Sequence, residues 1–367
     1  MASYTEKMED SLFQQWNIDI EDYSAVRAVL DSEFRSFGDG LLDIITTKYG
    51  EVDDPVSFIR MKATEHGVPV SSIGSLNTLK SWFHAGPRPK KGDTSRYSMF
   101  ALAFALKLSV DETTALFHKV YLDRAFNFRE PTDIVTFYCL SHGRTWAEAQ
   151  FFLQQNSCTE VDDKTVYTQV LKNQITVLNE DFELIAFLQR HQNNISKRNM
   201  TAKKCLESLL VKANIFAQKE LDETGIADQF KGSDRSSNSF TYEMIIGISP
   251  SGKKGTISLF KNAALPKEIR NRFPEAASFS KKNPTYEELR KMVILLNSYI
   301  FWYQVQQQHC QFDLEDYISE MNALMSDCGF SELYMGNPYD WMFMYCTLNE
   351  QPLDAFRGLI LEVIDQE

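Results

Sequence analysis

SLNTLKSWFHAGPRPKKGDTSRYSMFALAFALKLSVDETTALFHKVYL, residues 75–122, is the stretch on which the reading of the chain turns. Ser75 is placed to cap a helix through His84, with Leu76, Leu79 and Phe83 on an inward face. Asn77, Thr78, Lys80 and Ser81 fall on the opposite, solvated face. The turn GPRPKKGD follows, and then two apolar helices, 97–108 and 110–121, that would pack behind the first. Short helices separated by tight Gly and Pro turns predict a small bundle.

Toward the N-terminus, Tyr23, Val26, Val29, Leu30 and Phe34 keep a three-four spacing, so residues 1–50 read as one or two amphipathic helices. Toward the C-terminus, 133–141 and 145–155 form a helical pair, the second opened by a Thr145/Glu148 capping box and striped by Trp146, Ala149, Phe152 and Leu153. Helices at about 164–178, 180–191 and 201–219 come next, and GSDRSSNS at 232–239 is the most linker-like piece. The stretch 241–260 reads either as two short strands or as helix ends around a loop, the latter preferred. Thr285 and Glu288 then cap a long apolar helix through Tyr303, followed by helices at about 313–327, 338–348 and 352–365. No repeat of fixed period is found, which disfavours a solenoid.

The chain has 367 residues, 43% hydrophobic and 24% charged, enough for one large or two ordinary domains and incompatible with a disordered tail. Its longest apolar run, Met292 to Tyr303, is interrupted by Asn297 and Ser298, whereas a membrane span needs ~20 residues. No membrane partner is expected. The start, MASYTEKMEDSLFQQW, lacks the basic opening and apolar core of a secretory signal, so the expected location is cytoplasmic. The six cysteines are scattered without a C-x-x-C pair, which suggests reduced thiols and no zinc knuckle. The net charge is −12, yet the segment 56–130 carries eleven basic residues against six acidic ones. That local +5 leaves −17 for the remainder, the pattern of a nucleic-acid-contacting module on an acidic body.

The order of elements resembles the Xre or lambda-repressor-like helix-turn-helix family over residues 55–122. Leu79, Trp82, Gly86 and Pro89 match its recognition helix and Pro-containing loop, and Ala101, Leu102, Ala105, Leu108, Leu116 and Phe117 match two packing helices. The segment between Gly67 and Gly86 is shorter than the family's, so the helix before Ser75 is expected to be clipped to GVPVSSIG. The fold class expected is an all-α, multi-helix protein with a helix-turn-helix-like module and a larger helical body. Its parts are a helical cap at 1–54, the module at 55–130, a middle region at 131–231 and a C-terminal subdomain at 240–367. The resemblance implies a DNA-binding regulator or accessory protein of bacterial or phage origin, acting in transcription regulation, with double-stranded DNA as partner. Asn77, Thr78, Lys80 and Ser81 would then face the groove while Arg88, Lys90 and Lys91 hold phosphates. The acidic body would self-associate or take a protein partner. The alternative is a non-enzymatic interaction adaptor in a defence or counter-defence system, whose module never touches nucleic acid.

Other chemistry is disfavoured. Gly247-Ile-Ser-Pro-Ser-Gly252-Lys253-Lys254 nearly fits a phosphate-binding loop but has Lys254 where the magnesium-holding hydroxyl belongs. His309 and Cys310 are adjacent, and adjacent helical side chains do not face each other. The acids at 313–316 and 162–163 lack calcium-loop spacing and suit helix starts. The aromatic phrase 337–346 reads as core, with Trp341, Met344, Tyr345 and Leu348 on one face. No catalytic residue, metal or cofactor is expected.

Overall fold

The computed structural model describes residues 25, 26, 29, 34, 36–84, 89, 92–154, 168–191, 200–224, 235–246, 284, 286–308 and 314–365. Among them every regular element is a helix, and the protein is all-α with many helices. The chain divides into two compact units, Met1–Lys7 with Arg35–Met200, and Met8–Phe34 with Thr201–Glu367. The linker-like stretch at 232–239 thus falls inside the second unit.

The first unit contains α1 (Phe37–Tyr49), α2 (Pro55–Glu65), the single turn α3 (Val70–Ile73), α4 (Leu76–Phe83) and α5 (Asp93–Ala105). It continues with α6 (Val110–Ala115), which runs into a π-helical turn (Leu116–Tyr121), then α7 (Pro131–Ser141), α8 (Trp146–Gln154), α9 (Thr168–Thr176) and α10 (Asp181–Arg190). The starts follow from local chemistry: Asp54 caps α2 with Pro55 in its first turn, and Ser109 and Glu112 cap each other at α6. The box read at Thr145 and Glu148 forms, with the Thr145 amide donating to Glu148 over 2.7 Å. Helices that the sequence divides among 1–54, 55–130 and 131–231 bury their apolar faces in one shared core. None of these short amphipathic pieces has enough apolar surface to close a core alone. At its centre α5 is buried over the whole run Met99–Ala105, where alanines let neighbouring helices approach closely.

Beyond the π turn the chain leaves helix at Leu122, whose φ of +57° is left-handed. The non-helical passage that follows is held from inside by Arg96 on α5. Its guanidinium donates to the Arg124 carbonyl at 2.7 Å, to the Ala125 carbonyl, to Asp123 and in a fork to Asp133. Asp133 also accepts the Asn127 amide at 2.7 Å. The Asp133 side chain is 2% exposed and that of Arg96 13%.

The second unit contains α11 (Met200–Thr224), α12 (Asn238–Ile246), α13 (Tyr286–Gln308), α14 (Leu314–Cys328), α15 (Pro338–Thr347) and α16 (Pro352–Asp365). α12 takes the first part of the ambiguous stretch as helix, and 247–260 lies outside the described residues. α13 is buried on nearly every side, including Leu289, Met292, Leu296, Tyr299 and Trp302. α15 is buried without a break from Tyr339 to Thr347. Trp341, Met344 and Tyr345 are therefore core, whereas Leu348 just past the helix end is 45% exposed. A second buried arginine, Arg290, forks onto Asp340 with both bonds at 2.7 Å.

Removing the carboxylate of Asp133 strands a buried guanidinium, which costs about 3–5 kcal/mol. Asp133→Ala should lower protection of the α5 and α7 amides in hydrogen exchange by an equivalent amount. Unchanged protection there would mean that the clamp does not hold the unit.

Candidate functional site

α4 is short and its position is set from three directions. Ser75 caps it, its hydroxyl accepting from the Thr78 amide at 3.1 Å. Leu79 and Trp82 are sunk in the core at 0% and 4% exposure. Phe37 of α1 meets the Trp82 ring edge-on at 5.1 Å between centroids. A Cβ on Gly38 would overlap the Trp82 carbonyl oxygen, so α1 and the end of α4 touch backbone to backbone. Gly40, two residues along, is crowded by Val120 of the π turn: a Cβ there would fall 2.9 Å from the nearest Val120 methyl.

This packing fixes which face of α4 looks outward. Asn77, Thr78, Lys80 and Ser81 are all exposed, as their spacing predicts. Leu76, read from the sequence as inward, is instead 42% exposed, and Trp82 takes its place in the interior. The first turn of α4, from Ser75 to Thr78, is exposed throughout, so the helix enters the core only from Leu79 onward. Arg88, Lys90 and Lys91 lie outside the described residues. α3 is the clipped element read in GVPVSSIG, a four-residue turn closed by a bond from the Gly74 amide to the Val70 carbonyl at 3.0 Å.

The four exposed side chains differ in what they offer. The Thr78 hydroxyl pairs with that of Ser75 at 2.9 Å, and the Ser81 hydroxyl donates to the Thr78 carbonyl at 2.7 Å. Both are engaged locally, leaving Asn77 and Lys80 as the longest polar reach of the face. Lys80 lies in the field of Asp54, whose carboxyl is held below the usual range by hydrogen bonds from Ser57, with Lys80 contributing through space. Asp54 is committed to capping α2 through the Val56 and Ser57 amides, so its charge is a fixed neighbour of the α4 face.

The count of basic residues in 56–130 overstates what the surface presents. Arg96 is clamped inside, and Arg129 is 3% exposed, burial lowering its pKa. Lys62 is bonded to Glu65 at 2.9 Å and lies over the Tyr49 ring. Arg60 and Lys107 are exposed. What the sequence reading missed is how closely α1 approaches α4: Gly38 and Gly40 in Phe37-Gly-Asp-Gly-Leu41 were the available signal of close neighbours, the Trp82 backbone at the first and the Val120 side chain at the second.

Elsewhere, no group of three or more His, Cys, Asp or Glu that could hold a metal occurs among the described residues. His309, Cys310 and the Gly247–Lys254 string lie outside them. Burial pushes the Cys139 thiol up to about 12 and raises that of Cys346, so neither presents a thiolate at neutral pH. No helix among the described residues is long and apolar enough to cross a membrane. Comparison with protein-family models, curated proteins and solved structures found no match.

Gly38→Ala should force α1 and α4 apart and lower stability by about 1–3 kcal/mol. Urea unfolding and the Trp82 indole resonance would report it. An unchanged midpoint together with an unmoved resonance would show that the two backbones are not in contact.

Proposed function

We propose that the protein is a DNA-binding regulator or accessory protein, with α2 to α6 acting as a helix-turn-helix-like module of the Xre type. The observation that carries this reading is the two-sidedness of α4: Leu79 and Trp82 are anchored in the core while Asn77, Thr78, Lys80 and Ser81 are exposed together. A helix so anchored offers a groove a rigid polar edge, on which Asn can pair with adenine and Lys can reach guanine or phosphate. Arg88, Lys90 and Lys91 follow in the chain and supply phosphate contacts in this reading. A bacterial or phage origin, a cytoplasmic location and a role in transcription regulation come with the family resemblance.

A second reading, a protein-interaction adaptor of a defence or counter-defence system, is favoured by a specific observation. The Thr78 and Ser81 hydroxyls are bonded within α4, and Asp54 lies near Lys80, which weakens the face as an anion-seeking surface. In that reading the acidic helical body takes a protein partner or a second copy.

Gel shift on mixed-sequence duplex DNA across a salt series separates the two. DNA binding through several phosphates gives affinity that falls steeply with salt. Lys90→Glu with Lys91→Glu should abolish the shift with helicity retained, and Asn77→Ala should cost about 1–3 kcal/mol on a selected sequence but little on random DNA. Absence of any shift at the lowest salt leaves the adaptor reading.

A further inference from the structure

Two thiols of the second unit meet although they stand far apart in the chain. Cys205 lies in the second turn of α11, and Cys328 is the last residue of α14. Both are free thiols, Cys328 buried and Cys205 half-buried against the same apolar core. The Cys328 thiol donates a hydrogen bond to the Cys205 sulfur. Neither residue belongs to a C-x-x-C pair, so only the packing of α11 and α14 brings the two sulfurs together.

The bond is unequal, and the inequality gives the two sulfurs different roles. Accepting the hydrogen bond favours the Cys205 thiolate. This outweighs partial burial and the repulsion of Asp327, so the Cys205 thiol is held below its ordinary value. Donating it keeps Cys328 protonated, and burial and Asp327 act on Cys328 in the same direction. Position agrees with charge, because Cys328 ends its helix, where the dipole disfavours an anion. The thiolate is the nucleophilic form of cysteine. A lowered, partly exposed thiol beside a second thiol is therefore poised for oxidation that ends in a disulfide. Cys139 and Cys346 offer the contrast, since burial raises both of their thiols.

We infer that Cys205 and Cys328 form a peroxide-reactive pair, in which hydrogen peroxide oxidises Cys205 and Cys328 resolves the product as a disulfide joining α11 to α14. In the first step the Cys205 sulfur attacks one peroxide oxygen and the O–O bond breaks. Cys205 becomes a sulfenic acid, and the departing hydroxide takes up a proton as water. In the second step the Cys328 sulfur attacks the Cys205 sulfur, forming the S–S bond as the S–O bond breaks. The Cys328 proton leaves with the hydroxyl as a second water. The two thiols thus give up two hydrogens and two electrons, and one peroxide is reduced to two waters. A dithiol reductant reverses the bond by exchange.

The cross-link would fasten a helix that is already held near its other end. There Glu220 of α11 accepts from Arg357 of α16 and from Tyr299 of α13. Nothing in the pair requires the α4 face or DNA.

The test treats the reduced full chain with hydrogen peroxide at neutral pH, alkylates it in denaturant and maps the peptides by mass spectrometry. A peptide pair joined through Cys205 and Cys328, lighter by two hydrogens and separated by dithiothreitol, is expected in chains that run as monomers on a non-reducing gel. Cys139 and Cys346 should be recovered alkylated. Cys328→Ser keeps a donor but no resolving thiol, so Cys205 should collect a sulfenic acid that dimedone traps. Cys328→Ala removes the donor as well and should slow that trapping several-fold. Circular dichroism checks the helicity of each variant; where one does not fold, the wild-type map decides. Cys205 recovered as a free thiol after peroxide that fully oxidises glutathione overturns the proposal. So does oxidation of Cys205 that leaves Cys328 reduced, or a bond from Cys205 to a different cysteine.

Discussion

The first unit depends on one buried guanidinium. Arg96 is taken out of water by the packing of α5 and α7, a large desolvation cost that only a full set of acceptors offsets. Two carboxylates and two backbone carbonyls provide it. The carbonyls matter as much as the charges. The passage from Leu122 to Glu130 has no helix to satisfy its peptide groups, and without Arg96 those of Arg124 and Ala125 would lose this donor. The ring faces of Phe100 and Phe117, within 5.3 Å and 4.9 Å of the guanidinium carbon, close the site against solvent. The clamp therefore fixes the angle at which the α7–α8 hairpin leaves the α5–α6 pair, and with it the core on which α4 is seated.

Much of this fold was legible from local signals. The capping boxes at Ser109 and Thr145, the proline openings and the clipped turn before Ser75 are written in adjacent residues, and the outward face of α4 follows from helical spacing alone. What was not legible depends on residues far apart. Arg96 meets Asp133 across two helices and a turn, and no count of charge in a window distinguishes an arginine bound inside from one offered to a ligand. The misreading of Leu76 has the same origin: periodicity gives a face, but where along the helix the core begins is set by α1, through Phe37 and Gly38. The candidate site was legible as a face and not as a chemistry, because the local bonds of Thr78 and Ser81 and the nearness of Asp54 to Lys80 appear only in three dimensions.

The likeness of the Arg96–Asp133 and Arg290–Asp340 forks was hidden for a related reason. Between the helices that carry Asp133 and Asp340 and those that follow them, identical residues are few and the core positions differ in apolar type: Ile134 against Trp341, Val135 against Met342, Ala149 against Phe356. Cores accept such exchanges provided volume is redistributed among neighbours. A buried ion pair does not, because losing either partner leaves a charge uncompensated. The shared ion pair and the backbone bonds around it are thus too sparse to mark a period in a single sequence.

The π turn sharpens that argument. An inserted residue in a helix must either shift every side chain that follows or be absorbed locally as a bulge. In the first unit the π turn ends before Leu122, and the carbonyls of Arg124 and Ala125 beyond it reach Arg96. Helices ahead of the clamp can then change length and surface without disturbing the hairpin behind it. In this arrangement the clamp is the part whose loss the core of the first unit cannot absorb, because either partner left alone is a buried uncompensated charge.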